Sequence, residues 1–513
     1  MSKETGICYL VGAGPGDPGL MTLRGKECIE KADVVVYDYL SNPDFLRWAK
    51  PDAELVYAGK KSKDHAIPQG GINQLLIEKA REGKIVTRLK GGDPLVFGRG
   101  GEEAEELHDA GVRFEIVPGI SSAIAGPAFA GIPVTHRDHC SQLTIFTGHE
   151  RPEKSESSID YARIATTPGT KVMLMGVERL GIITQAILDG GGEPDLPVAL
   201  VRWATTGRQE TITGTLSTIA DVAEKADFRA PAVAVFGTVV NCREKLNWFE
   251  TRPLRGKRIV VTRTRKQASG MSRRLRELGA DVLEMPTIRV ERSEDEDLRS
   301  FAKMVTDAHT YEWLIFTSPN GVEYFFEAFY KIRSDAREIG GARIAAIGPG
   351  TAAKLKEYHV ATDLMPEEHV AEALAEAFEK QVGSIENTAM LWVRAKDARD
   401  VLSSRLNKAG VILDEAIAYQ TVPETDDPTG AVKRYREEGA DIITFTSSST
   451  VECFLDLGLE IPDETAIASI GPITSATLAE STYDPDIEAK SHDIPGLIEA
   501  VVELAGEKPF GEE

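Results

Sequence analysis

Cysteine is scarce, with five among 513 residues (Cys8, Cys28, Cys140, Cys242 and Cys453), odd in number and never clustered. That excludes a disulfide framework and a thiolate zinc site, and it fits a reducing compartment. Long apolar runs are missing too. The most apolar stretch, 119–134, is cut by Pro127 and Pro133, and the opening MSKETG is polar. Neither a membrane-spanning helix nor a secretory signal is expected, so the cytoplasm is the expected location. Positive charge is in deficit: 59 Lys and Arg stand against 81 Asp and Glu, a formal net charge of −22. Such a balance disfavours nucleic acid and anionic membranes as partners. Aromatics make up only 7% and do not interleave with basic residues as in a single-strand binder.

What the chain does have is ordinary globular material, 42% apolar and 27% charged. Its length exceeds one hydrophobic core and points to three or four compact units. In the first half, short apolar runs (ICYLVG, DVVVYD, KIVTRLKGG) alternate with turn glycines and helical patterns, the grammar of an α/β layered fold. A charged break, Glu150 to Asp160, falls inside this half, because strand-like TKVMLMG and AVAVFGTVV follow it. Two lobes are therefore expected, about 1–137 and 138–245, then a linker at 246–253 where strand periodicity fades.

The second half carries an internal duplication. Val261 to Glu284 matches Trp392 to Glu415 at an offset of 131, pairing Arg263 with Arg394 and Gly279 with Gly410. Phe316 to Phe325 (FTSPNGVEYF) matches Phe445 to Phe454 (FTSSSTVECF) at 129, and AIGPGT matches SIGPIT at 123. Three matches in one order imply two copies of one α/β unit. Each copy runs from strand through a Ser/Thr/Gly/Pro turn into a helix, a turn that offers hydroxyl caps and outward N–H groups suited to anions. Between the halves, Arg252 to Arg276 holds ten basic residues and no acid, compatible with a polyanionic ligand or with a solvated linker and helix face.

Two glycine-rich stretches, Val11 to Leu20 (VGAGPGDPGL) and Arg88 to Glu103 (RLKGGDPLVFGRGGEE), can bring bare main chain against a ligand. The first is G-x-G-x-G, not the dinucleotide G-x-G-x-x-G, and Pro15 interrupts the helix start a pyrophosphate needs. With Val117 to Asp138 (VPGISSAIAGPAFAGIPVTHRD), these stretches resemble the uroporphyrinogen-III C-methyltransferase family. The resemblance implies S-adenosylmethionine as methyl donor, bound by Pro15, Gly91, Gly92, Asp93, Val96, Ser121, Ser122, Met175 and the position of Ala204. It implies Asp38 as proton acceptor and Lys60 as proton donor. It also implies a homodimer through this half. A substrate with eight carboxylates calls for cations, with Lys61, Arg88 and Arg99 as candidates beside Lys63, Lys90 and Arg137, and His65 matching the family. HRDHC (His136 to Cys140) lacks a partner motif, so no metal is expected.

The duplicated half, through its SP/SS and GP turns and AIAYQTVP, resembles uroporphyrinogen-III synthase, a two-domain α/β enzyme whose chain crosses between domains twice. The resemblance implies 254–508 as the synthase, with one domain of 254–289 plus 423–508 and the other of 290–422. It places Ser318, Thr351, Ser447, Ser448 and Thr474 at the substrate, Arg263 and Arg394 as charge partners, and Tyr419 near the departing hydroxyl; no cofactor is required. Together the halves imply a two-lobed tetrapyrrole methylase followed by a duplicated α/β synthase. They would cyclise hydroxymethylbilane with inversion of the last ring and then methylate uroporphyrinogen III twice to precorrin-2, for sirohaem, cobalamin or another tetrapyrrole. An alternative is methylation of a later corrinoid precursor beside a non-catalytic tetrapyrrole-binding module.

Overall fold

The computed structural model of the protein describes residues 6–59, 68–149, 159–292 and 295–506. The chain divides into two compact units: Met1–Pro286 with Asp426–Val451 and Glu460–Glu513, and Thr287–Thr425 with Glu452–Leu459.

The first unit opens with β1 (Ile7–Gly12), β2 (Val34–Tyr37), β3 (Glu54–Tyr57), β4 (Ile85–Lys90) and β5 (Arg113–Val117). They form one parallel sheet in the order β3-β2-β4-β1-β5. Runs such as Val34–Tyr37 are apolar throughout because each face of a parallel sheet is covered. One face packs Leu10, Val36, Leu76 and Leu107, the other Val11, Ile29, Phe45 and Leu89. A second sheet follows from β6 (Leu143–Thr147), β7 (Thr170–Leu174), β8 (Pro197–Arg202), β9 (Glu210–Thr215) and β10 (Ala232–Phe236). Its order is β6-β7-β10-β8-β9, parallel only between β6 and β7.

The chain then lays down β11 (Arg258–Val261) and β12 (Asp281–Glu284) and passes through the second unit as β13 (Ile288–Arg292), β14 (Trp313–Phe316), β15 (Arg343–Ala346), β16 (Ala389–Ala395) and β17 (Ile412–Pro423). It returns to the first unit as β18 (Ile442–Phe445), β19 (Ala466–Ser469) and β20 (Ile487–Glu488). The sheet orders are β12-β11-β18-β19-β20 and β13-β17-β16-β14-β15. The sequence offsets pair β11 with β16, β12 with β17, β14 with β18 and β15 with β19. Both sheets therefore repeat one strand order, and each combines the opening strands of one sequence copy with the closing strands of the other. Among the described residues, no helix is long and apolar enough to cross a membrane.

The stretch between the halves is anchored by part of its length, while Leu246 and Trp248 are exposed. Phe249 and Leu254 are buried, and Glu250 accepts hydrogen bonds from Gln209, Thr211 and Arg243.

Candidate functional site

The loops that leave β1, β4 and β5 meet through bare main chain. Gly14 and Gly92 exchange backbone hydrogen bonds at 3.1 and 2.8 Å. A β-carbon on Gly119 would lie 2.3 Å from the Gly92 carbonyl oxygen and 2.6 Å from the Gly12 Cα, so only glycine allows this approach. Asp93 locks the corner, its carboxylate accepting from Gly119 N at 3.1 Å and Leu95 N at 2.8 Å. From the second sheet, the loop after β8 closes on the same place: Asp17 N donates to Thr205 Oγ1 at 3.1 Å, and Ala204 lies buried against Gly126. Pro15 is half-buried between these contacts.

Ser121 caps the helix Ser122–Phe129 and accepts from Ala123 N. Val96 and Met175 are exposed, Met175 at 52%. Positive φ at Phe97, Arg99, Met175, Trp203 and Thr205 concentrates backbone strain in these loops, as is usual where a binding site is preorganised.

Asp38 follows β2 and is partly exposed, with Arg88 Nη2 donating to its Oδ1 at 2.6 Å. Arg88, expected among the substrate's cations, is only 2% exposed and braces Asp38 from within the fold. Glu103, fully buried, neutralises this cation from beneath, accepting from Arg88 Nε at 3.3 Å, Lys90 Nζ at 2.7 Å and Gln69 Nε2 at 3.0 Å. Burial lowers the Lys90 ammonium below its ordinary range, Arg88 adding to this and Glu103 opposing it. Arg99 is exposed and paired with Glu102. Lys60, Lys61 and His65 lie outside the described residues.

In the second unit, Ser318 and Tyr419 come together, their oxygens 2.8 Å apart, while Ser318 also caps the helix Pro319–Ile332 through Gly321 N. Tyr419 sits beside a bulge between β16 and β17 and stacks on Tyr324. Burial holds its phenol above the ordinary value, partly offset by hydrogen bonds from Ser318 and Asn320. Arg394, expected as a charge partner of the substrate, lies among groups of its own unit. It is 7% exposed, ion-paired with Glu415 and Asp400, and lies over the Trp392 ring, so its charge is already taken. Thr351 is buried as well, enclosing its hydroxyl.

The first unit holds the counterpart positions, drawn from both sequence copies. Arg263 differs from its counterpart: it bonds Gln267 at 3.2 Å and pairs with no carboxylate among the described residues. Its guanidinium is pushed below the usual range by burial. Ser447 caps toward Thr450 N, Ser448 accepts from Thr477, and Thr474 is buried. Several cations of the basic run 252–276 are likewise committed: Arg258 to Asp281 and Glu438, Arg276 to Asp44 and Glu284, Arg255 to Glu250, and Arg252 over Trp248 and Phe249.

The porphyrin biosynthesis protein HemD of Ruminiclostridium josui is 36% identical over 504 residues, spanning 98% of this chain and 99% of its own. The chain belongs to that family. The model of the tetrapyrrole (corrin/porphyrin) methylases matches residues 8–220, and that of uroporphyrinogen-III synthase HemD matches 269–499. This HemD-family chain is thus a methylase fused to a synthase. A uroporphyrinogen-III C-methyltransferase of Bacillus subtilis is 42% identical over 348 residues, 67% of this chain and 70% of its own. A solved structure of uroporphyrin-III C-methyl transferase from Thermus thermophilus, complexed with S-adenyl homocysteine, is 39% identical. It covers 46% of this chain and 99% of its own, with a TM-score of 0.40.

Sequence reasoning missed two parts of this HemD-family site. Glu103 was within reach: Arg88 and Lys90, two apart on a strand, share one face, and two buried cations demand an acid. In the loop Trp203–Gln209 the resemblance pointed to Ala204 alone; Thr205, which bonds Asp17 N, carried no such signal, because its role depends on a chain crossing from the second sheet.

Proposed function

We propose that the chain closes hydroxymethylbilane to uroporphyrinogen III in its synthase part and methylates that product twice to precorrin-2 in its methylase part. The observation that carries the methylase reading is the Gly12–Gly92–Gly119 main-chain floor beside a carboxylate, Asp38, held by a buried arginine. The exposed Val96 and Met175, the capped Ser121–Ser122 turn, and the Gly91–Asp93 and Ala204 main chain are the residues we assign to holding S-adenosylmethionine. When bound, that donor supplies an electrophilic methyl group. Because every β-carbon of an octa-acid tetrapyrrole already bears a side chain, the methylated carbon becomes quaternary, and Asp38 takes up the proton that the cationic macrocycle then loses from a neighbouring position, its orientation set by the Arg88 bond, with Lys60 as donor; such placed groups contribute factors of about 10²–10⁴.

For the synthase, the cyclisation needs a flexible tetrapyrrole folded correctly and a hydroxide helped to leave. The Tyr419 phenol, raised by burial and tied to Ser318, stays protonated and donates to the departing hydroxyl. Arg263, a half-buried cation lacking a carboxylate partner among the described residues, receives a substrate carboxylate, with Ser447 and Ser448 on the same unit. We divide the chain as methyltransferase 1–245 and synthase 254–508, acting in the cytoplasm as a homodimer joined through the methyltransferase part.

Purified full-length protein given hydroxymethylbilane alone should yield the inverted isomer, and addition of S-adenosylmethionine should convert it to a dimethylated product. Isomer III no faster than spontaneous closure refutes the synthase reading. Unmethylated uroporphyrinogen III in the presence of donor refutes the other.

A further inference from the structure

Two loops bound the methyl-donor floor, and neither is held by the methylase part alone. The first leaves β2 through Asp38, Ser41 and Asn42 and enters the turn Pro43–Trp48. The second, Trp203–Gln209, follows β8. They converge on Gly16: Asn42 Nδ2 donates to its carbonyl at 2.8 Å, and a β-carbon there would lie 2.8 Å from Thr206 Cγ2.

Each loop is clamped from the synthase part within the same compact unit. On the first, Arg276 Nη2 bridges Asp44 Oδ2 at 2.5 Å and Glu284 Oε1 at 3.1 Å, and Glu284 Oε2 pairs with Arg47. All four side chains are largely buried, Asp44 and Glu284 at 5% and 6% exposure. On the second, a β-carbon on Gly207 would lie 2.0 Å from Asp281 N, and Gly256 N donates to the Gly207 carbonyl at 3.0 Å. Arg208 stacks on Trp203 at 4.3 Å and reaches Asp281 and Glu438, both also held by Arg258.

The strained backbone at Trp203 (φ 46°) and Thr205 (φ 70°) persists only where surroundings over-determine it, and this second clamp does so. A buried ionic cluster is a weak source of net stability but a strict setter of geometry, since no member can move without stranding a charge. Two such contacts, one on each loop, exceed what a tether between independent enzymes requires.

We propose that the synthase part holds the methyl-donor loops in register, and that Arg276, encoded in the synthase sequence, is a positioning residue for methyl transfer. This rests on the methylase reading above.

The test uses full-length protein carrying Arg276→Met, Arg276→Lys or Arg208→Met. S-adenosylhomocysteine affinity is read by calorimetry, the donor KM and kcat of methyl transfer by initial rates, and the synthase rate on the same samples. In Arg276→Met, loss of register should weaken S-adenosylhomocysteine binding and raise the donor KM by about tenfold, equivalent to about 1.4 kcal/mol of donor binding, and should lower kcat by up to about 10² if the displacement reaches an ångström. The synthase rate should stay within about twofold. Arg276→Lys, keeping charge without the two-way fork, should recover part of the loss. A merely structural arginine would lower the unfolding midpoint and leave donor affinity and KM at the parent's values, and that result overturns the proposal. Should Arg276→Met not fold, Arg208→Met applies the same criterion to the second loop. Parent protein that neither binds S-adenosylhomocysteine nor transfers methyl overturns the methylase reading itself, whereas a binding parent with indifferent variants overturns only this inference.

Discussion

Adding one carbon at Gly119 is the sharpest test of the main-chain floor. In Gly119→Ala the new methyl would meet the Gly92 carbonyl oxygen at 2.3 Å and the Gly12 Cα at 2.6 Å, both backbone atoms with no flexible end to swing aside. Restoring ordinary contact requires the loops after β4 and β5 to part by about 1 Å, and overpacking of this kind costs about 1–3 kcal/mol. Because Gly92 also bonds Gly14, the displacement reaches the β1 loop, and a shift of that size costs about 10² in a positioned reaction. Two glycines nearby serve as controls. Gly92 has φ +70° but its nearest foreign atom is Ser121 Cα at 3.9 Å, so Gly92→Ala incurs only the left-handed strain of about 1–2 kcal/mol. Gly101 opens a helix with nothing within 4 Å, so Gly101→Ala should stabilise by about 0.5–1 kcal/mol. Calorimetry with S-adenosylhomocysteine and urea unfolding should rank the variants G101A, G92A, G119A from best to worst, with hydroxymethylbilane cyclisation preserved. Parent-like donor affinity and stability in G119A would falsify the floor.

Other expectations follow from single contacts. Arg88→Met leaves Glu103 and Asp38 without their shared cation, and removal of one partner from a buried ion network costs about 3–5 kcal/mol; a urea midpoint equal to the parent's refutes this. Tyr419→Phe should slow cyclisation by about 10² without changing donor binding, and an unchanged rate removes the phenol from the reaction. Because burial raises the Tyr419 phenol, its contribution to stability is complete below about pH 10 and lost as pH rises through the higher folded value; Tyr419→Phe should flatten that alkaline loss in a melting series. Asp33 is held below the usual carboxylate range first by the Ile85 N–H and then by Lys50. Its contribution is present above about pH 4 and disappears as pH falls through the lower folded value, so Asp33→Asn and parent should differ in melting temperature at neutral pH and converge in acid.

The sequence alone revealed whatever repeats or local chemistry can show: the glycine runs that permit backbone contact, the apolar strands, and a duplication read from matched turns. Short-range periodicity reports which face a residue occupies and not which distant strand lies beside it. The sheets therefore had to come from the fold, where β11 and β12 pair with β18 to β20 while β16 and β17 join β14 and β15, so that neither sequence copy makes a sheet by itself. The fate of charge was likewise decided in three dimensions. Arg263 and Arg394 occupy matched positions, yet among the described residues only Arg394 meets carboxylates, because Asp400 and Glu415 converge on it. Arg276 lies in a run that reads as a solvated basic face, and burial against Asp44 and Glu284 makes it part of the frame. A cation's role depends on the partner that folding brings to it, and that partner is here 232 residues away.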